Sequence, residues 1–161
     1  MWKKPSQIEK ITEPDKLRAR ALYWISRKEY SIKALYEKLE GICDDEIMVA
    51  DLMEDFIQRD WVNNERFMAS FTRLKMSSGL GQMRIKRELT QQGIKESDVN
   101  MYFEASEFDW FEQALNTYQK KYGDAPCEDY KERAKRFRFM QYRGFNSDQI
   151  KYAMQDQSSD W

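Results

Sequence analysis

Apolar residues recur along this chain at the three- and four-residue spacing of one helix face, and that pattern predicts helices from end to end. Leu17, Ala21, Trp24 and Ile25 define an amphipathic helix over 15–28, and Ser31 then caps a second lined by Ile32, Leu35, Tyr36 and Leu39. Gly41 is read as its left-handed stop, and a third helix opening at Asp44 carries Ile47, Leu52 and Phe56 inward, with Met48 and Ile57 beside them. Asn63 or Asn64 caps the next helix, where Phe67, Phe71 and Leu74 repeat before Ser77-Ser78-Gly79 breaks it. Helices follow over 81–92, over 97–104 with Val99, Tyr102 and Phe103, and over 109–122 with Phe111, Ala114, Leu115 and Tyr118. A helix over 128–142 then presents Tyr130, Ala134, Phe137 and Met140. Asn146 and Gln149 form a capping box before a last helix with Ile150, Ala153 and Met154.

These nine expected helices fall into three triplets. The stretch from Gly79 to Ile94, with its cap at Gly81, Leu89 on the inner face and the stop Gly93-Ile94, is echoed from Ser31 to Leu39. It is echoed again from Tyr130 to Tyr142-Arg143-Gly144-Phe145, about fifty residues on, within the range of tandem structural repeats. The expected organisation is an extension over 1–14, repeats over 15–60, 61–107 and 108–156, and a frayed tail over 157–161. The expected fold is all-α, an elongated and curved row of three-helix modules that lies along another macromolecule.

Composition narrows the chemistry. A chain of 161 residues with 41% apolar residues can bury a core, and six glycines with three prolines leave few helix breakers. Histidine is absent, which removes the commonest general base and the commonest metal ligand. Cys43 and Cys127 are too few for a structural zinc site, so neither a metal nor a cofactor is expected. Gly79-Leu80-Gly81 follows no strand and precedes no Gly-Lys-Ser/Thr, so it is a helix breaker and not a phosphate loop. No paired-acid or nucleophile–base arrangement is visible, no stretch is apolar enough to span a bilayer, and a reducing cytosol is the expected compartment.

Charge is polarised along the chain although its net value is −1. Arg73, Lys75, Arg84, Lys86 and Arg87 lie in a stretch without one acidic residue. From Lys131 to Arg143 six basic residues, among them Arg133, Arg136 and Arg143, face only Glu132, whereas the stretch from Asp44 to Asp55 is acidic. Each cation alone is read first as part of a solvated helix face, Arg84 with Glu88 for example; the acid-free run as a whole is read as a binding face. Phe137, Phe139 and Tyr142 interleave the later charges and are read as core before being read as a base-stacking platform. Arg66 has two readings of equal weight, partner contact or an internal tie to a carboxylate of the acidic first repeat.

Asp60-Trp61-Val62-Asn63-Asn64-Glu65-Arg66-Phe67, then Gly79 to Ile94, then Phe108-Asp109-Trp110 with Lys121-Tyr122-Gly123, then Tyr142-Arg143-Gly144-Phe145, resembles the RecX family of recombinase regulators. The likeness runs from about Leu17 to Met154. It implies three tandem three-helix repeats and a cytoplasmic, non-enzymatic protein that binds the RecA recombinase filament on DNA and inhibits its ATP hydrolysis and strand exchange. It also implies a monomer with at most weak direct contact to DNA, and no membrane or small-molecule ligand. Family members usually carry glycine where Asp60 stands and an aspartate in the Asn63-Asn64 pair, so the turn at Asp60 is the departure to examine. The alternative reading is a helix-turn-helix DNA-binding protein that acts without a recombinase.

Overall fold

The computed structural model describes residues 8–155, so the tail over 157–161, for which fraying is the expectation, and the charged start Met1 to Ser6 lie outside the described residues. Among the described residues there are nine α-helices and no strand. They are α1 Pro14–Ile25, α2 Ile32–Glu40, α3 Glu46–Gln58, α4 Asn64–Ser77, α5 Gln82–Gln91, α6 Glu96–Ala105, α7 Trp110–Tyr122, α8 Tyr130–Arg143 and α9 Ser147–Gln155. Two compact units divide the chain, one ending at Phe67 and the other beginning at Met68.

The first unit closes α1, α2 and α3 around Leu17, Ala21, Leu35, Leu39, Val49, Met53 and Phe56, with Cys43 and Val62 at the edge of the same core. Ser31 and Asp45 accept hydrogen bonds from the amides of Ala34 and Met48, starting α2 and α3 with caps that each contribute about 1 kcal/mol. The extension is tied down from Lys10 on: the Ile11 amide donates to the Ile42 carbonyl at 2.8 Å, and Lys10 donates to the Gly41 carbonyl at 3.0 Å. Asn63 caps α4 by accepting from the Arg66 amide, while Asn64 accepts from the Ile32 amide at the start of α2.

In the second unit α5 packs on α6, α7 on α9 and α8 on α9. Ile85, Leu89, Val99 and Phe103 are buried from α5 and α6. Ala114, Tyr118, Met140, Phe145, Ile150 and Ala153 form a separate core from α7, α8 and α9. The expected capping box is present in both directions: the Gln149 amide donates to Asn146 Oδ1 at 2.9 Å and the Asn146 amide to Gln149 Oε1 at 3.0 Å.

Four helix ends share one device. After α3, α4, α5 and α8 a residue of positive φ, namely Asp60, Gly79, Gly93 or Gly144, donates back three residues, and the next residue donates back five. This is the paired closure that satisfies carbonyls left over at a helix end. The residue that follows each glycine, Leu80, Ile94 or Phe145, is thereby turned into the interior. Asp60 reaches φ 58°, the left-handed geometry, and is the one non-glycine residue with positive φ among those described. Its neighbour Trp61 lays its ring edgewise on Phe56 at 5.4 Å, the apolar contact that accompanies such an end.

Several expectations are corrected. Gly41 has φ −63° and closes α2 in the right-handed region, because its amide bonds back to Glu37 without any reversal. Ile47, Ile57, Leu74, Phe111 and Tyr130 face outward. In α3 the inward stripe runs through Val49, Leu52, Met53 and Phe56, one step out of phase with Ile47 and Ile57. Trp110, Ala114, Thr117 and Tyr118 do the same to Phe111 in α7. Tyr130 stands at the first position of α8, ahead of its packed turns.

Candidate interaction surface

The basic residues divide into those held by other parts of the fold and those left open to solvent. Arg66 belongs to the first kind. Its guanidinium donates to Glu29 at 2.9 Å and to both the carbonyl and the carboxylate of Asp60, at 2.9 and 3.3 Å. Asp60 Oδ1 also accepts from Asn63, so one aspartate in the left-handed position gathers the α3–α4 turn.

In the second unit Arg84 and Lys75 converge on Glu88, at 3.4 and 3.6 Å. Arg84 also donates to the Tyr142 carbonyl and lies over the Tyr142 ring at 4.8 Å. Lys86 donates to Asn100 and lies over Phe103. Arg136 donates to the Tyr118 hydroxyl at 3.0 Å and to Glu132 at 3.1 Å; the hydrogen bond to Tyr118 is the main reason its affinity for the proton is raised. Arg136 also covers Tyr122, whose hydroxyl is pushed up by burial. Arg143 donates to the Ser78 carbonyl at 2.8 Å and lies over Phe139.

Arg73, Arg87 and Arg133 are exposed and have no carboxylate within 4.0 Å among the described residues. Phe67, Gly81, Leu89, Ile94, Gly144 and Phe145 are buried, and Gly93 is the exposed turn residue between Leu89 and Ile94. Of the interleaved aromatics, Phe137 and Phe139 pack on the core of α7, α8 and α9, while Tyr142 is 71% exposed.

Residues that the sequence pattern did not single out complete this surface. Lys120 and Lys121 line a cleft that also holds Arg143, while Lys75 joins Arg84 on Glu88, the partner already expected for Arg84 from the sequence. Glu29 sits between helices where no periodicity marks it, and the lysines of α7 lie outside both basic runs. Among the described residues no group of three or more histidine, cysteine, aspartate or glutamate side chains is placed to hold a metal. No helix among them is long and apolar enough to cross a membrane.

Three-helix units, helix ends closed on glycine, and arginines set on solvated helix faces define an all-α modular protein. Family models for the second and third three-helix domains of RecX match residues 63–101 and 107–154. The chain belongs to the RecX family. It is 32% identical over 140 residues to "Regulatory protein RecX" of Vibrio campbellii, covering 87% of this chain and 90% of that one. It is 33% identical over 133 residues to the protein of the same name from Actinobacillus pleuropneumoniae, covering 83% and 87%. The fold is similar to the crystal structure of RecX from Lactobacillus salivarius, with a TM-score of 0.72 at 19% identity over 89% of this chain and 96% of that one.

Proposed function

We propose that this chain docks on the RecA recombinase filament assembled on DNA and modulates it, chiefly by inhibiting ATP hydrolysis and strand exchange in recombination and DNA repair. Its membership of a family of regulatory proteins, at 32% identity across 87% of its length, carries the reading. In this reading the protein is a cytoplasmic monomer with no chemistry and no cofactor of its own. It acts by binding one state of the filament more tightly than another, and the shift it produces is limited by that difference in affinity.

Exposed Arg73, Arg87 and Arg133 support the reading, since they keep their charge available while Arg84, Lys86 and Arg136 are spent on neighbours. Arginine is also a residue on which binding energy at protein interfaces concentrates. The decisive experiment is DNA-dependent ATP hydrolysis by RecA on single-stranded DNA with this protein titrated in. Hydrolysis should fall at concentrations where the free DNA is not bound. No change in hydrolysis, together with tight and sequence-selective duplex binding, would replace this reading with the helix-turn-helix one.

A further inference from the structure

An open cleft of about 390 Å³ lies between the end of α4, the outer face of α7 and the last turn of α8. Its charged lining is entirely cationic: Lys120, Lys121 and Arg143. Phe139 supports two of these charges, with Lys121 Nζ 5.4 Å and the Arg143 guanidinium 5.1 Å from the ring centroid. Lys120 and Lys121 have no carboxylate within 4.0 Å among the described residues. The fold therefore holds like charges together without a counter-charge of its own, an arrangement that favours an anion from outside.

The wall of the cleft is prepared for one. The end of a helix normally offers carbonyl oxygens, which repel an anion. Here Gln113 Nε2 donates to the Met76 carbonyl at 2.7 Å, Thr117 Oγ1 to that of Gly79 at 3.2 Å, and Arg143 to that of Ser78 at 2.8 Å. The same bonds consume the amide of Gln113 and the hydroxyl of Thr117, the exposed Ser77 and Ser78 donate their hydroxyls to the Leu74 carbonyl, and of the uncharged polar side chains in the lining that leaves the exposed Asn116. Charge remains on offer, and base recognition does not.

We infer that this cleft seats the phosphates of a single-stranded nucleic acid, sequence-independently, through Lys120, Lys121 and Arg143. The inference goes beyond filament docking and does not depend on it. Lysines that touch phosphate release counterions, so binding to a single strand falls with salt by a slope of about 0.7 per contact, which is about fivefold in affinity per contact at 0.1 M salt.

The test uses the full chain with no recombinase present, so that its failure and the failure of filament docking are distinguishable. Fluorescence anisotropy of a labelled oligothymidylate is followed over a salt series for the parent and for the double variant Lys120→Ala, Lys121→Ala, with helicity checked by circular dichroism. Both lysines are exposed on a helix, so the variant is expected to fold. The expected result is a loss of about 25-fold in affinity at 0.1 M salt and a salt slope shallower by about 1.4. An unchanged slope, or no binding by the parent, overturns the proposal. Displacement of the oligonucleotide by an equally charged oligoglutamate at matching concentration also overturns it, and would make the cleft a seat for an acidic peptide.

Discussion

Gly81 and Gly144 meet backbone to backbone, one at the start of α5 and the other just past the end of α8. The Gly81 amide donates to the Arg143 carbonyl at 2.8 Å, and the Met83 amide donates to the Gly144 carbonyl at 3.1 Å. Carbonyls left over at one helix end thus satisfy amides left over at another, and the negative end of α8 faces the positive end of α5. A Cβ on Gly81 would lie 2.5 Å from the Gly144 carbonyl, and one on Gly144 would lie 2.4 Å from Arg84 Cβ.

Gly144→Ala should therefore destabilise the second unit by about 2–4 kcal/mol, from left-handed strain together with overpacking, and Gly81→Ala by about 1–3 kcal/mol from overpacking alone. Gly41→Ala is the control. At φ −63° it should be neutral or stabilise by up to about 1 kcal/mol, because only the unfolded chain loses freedom. Urea unfolding of the three variants checks the order.

Asp60 carries its positive φ at a cost that its carboxylate offsets through Asn63 and Arg66. Asp60→Ala should lose both the bonds and the tolerance of that geometry, lowering stability by about 1–2 kcal/mol. Asp60→Gly regains the geometry and loses only the bonds, so it should stay within about 1 kcal/mol of the parent. Thermal unfolding of both variants decides it; an equal loss in the two would show that the backbone geometry at Asp60 carries no strain.

Asp55 accepts from Arg18 and Arg59 at 2.8 Å each, and the hydrogen bond from Arg18 is the larger cause holding its carboxyl below the ordinary value of 3.8. A carboxylate depressed by folding contributes stability above its unfolded pKa, and that contribution is lost as pH falls through the folded one. Stability of the first unit should decline below about pH 4, and Asp55→Asn should be less stable than the parent at neutral pH with a flatter decline in acid. Denaturant unfolding across pH 2 to 7 measures both slopes.

Exposed and held arginines should separate in function. Arg73→Glu with Arg87→Glu should reduce inhibition of RecA hydrolysis about tenfold or more while leaving the thermal midpoint unchanged, as reversing charges at an interface costs several kcal/mol and altering a solvated face costs little. Arg136→Glu should lower the midpoint, because it removes the bond to Tyr118 and places a carboxylate beside Glu132. Equal effects of the two variants on hydrolysis, with both folds intact, would remove Arg73 and Arg87 from the docking face.

The sequence by itself determined the helices, because caps and spacing act within a few residues. Ser31, Asn63 and the Asn146–Gln149 box all cap where the pattern places them. The stops at Gly79, Gly93, Gly123 and Gly144 were legible for the same reason, since positive φ is a local property that glycine alone meets without strain. The phase of a helix against its neighbours was less legible: Ile47, Leu74 and Phe111 fit an apolar stripe in sequence and face solvent in the fold. Only the tertiary structure decided which arginines are available, because Glu29, Tyr118 and the carbonyls of Tyr142 and Ser78 reach Arg66, Arg136, Arg84 and Arg143 through packing. Charge is written in each residue, but its freedom to meet a partner depends on what the fold places within hydrogen-bonding distance of it.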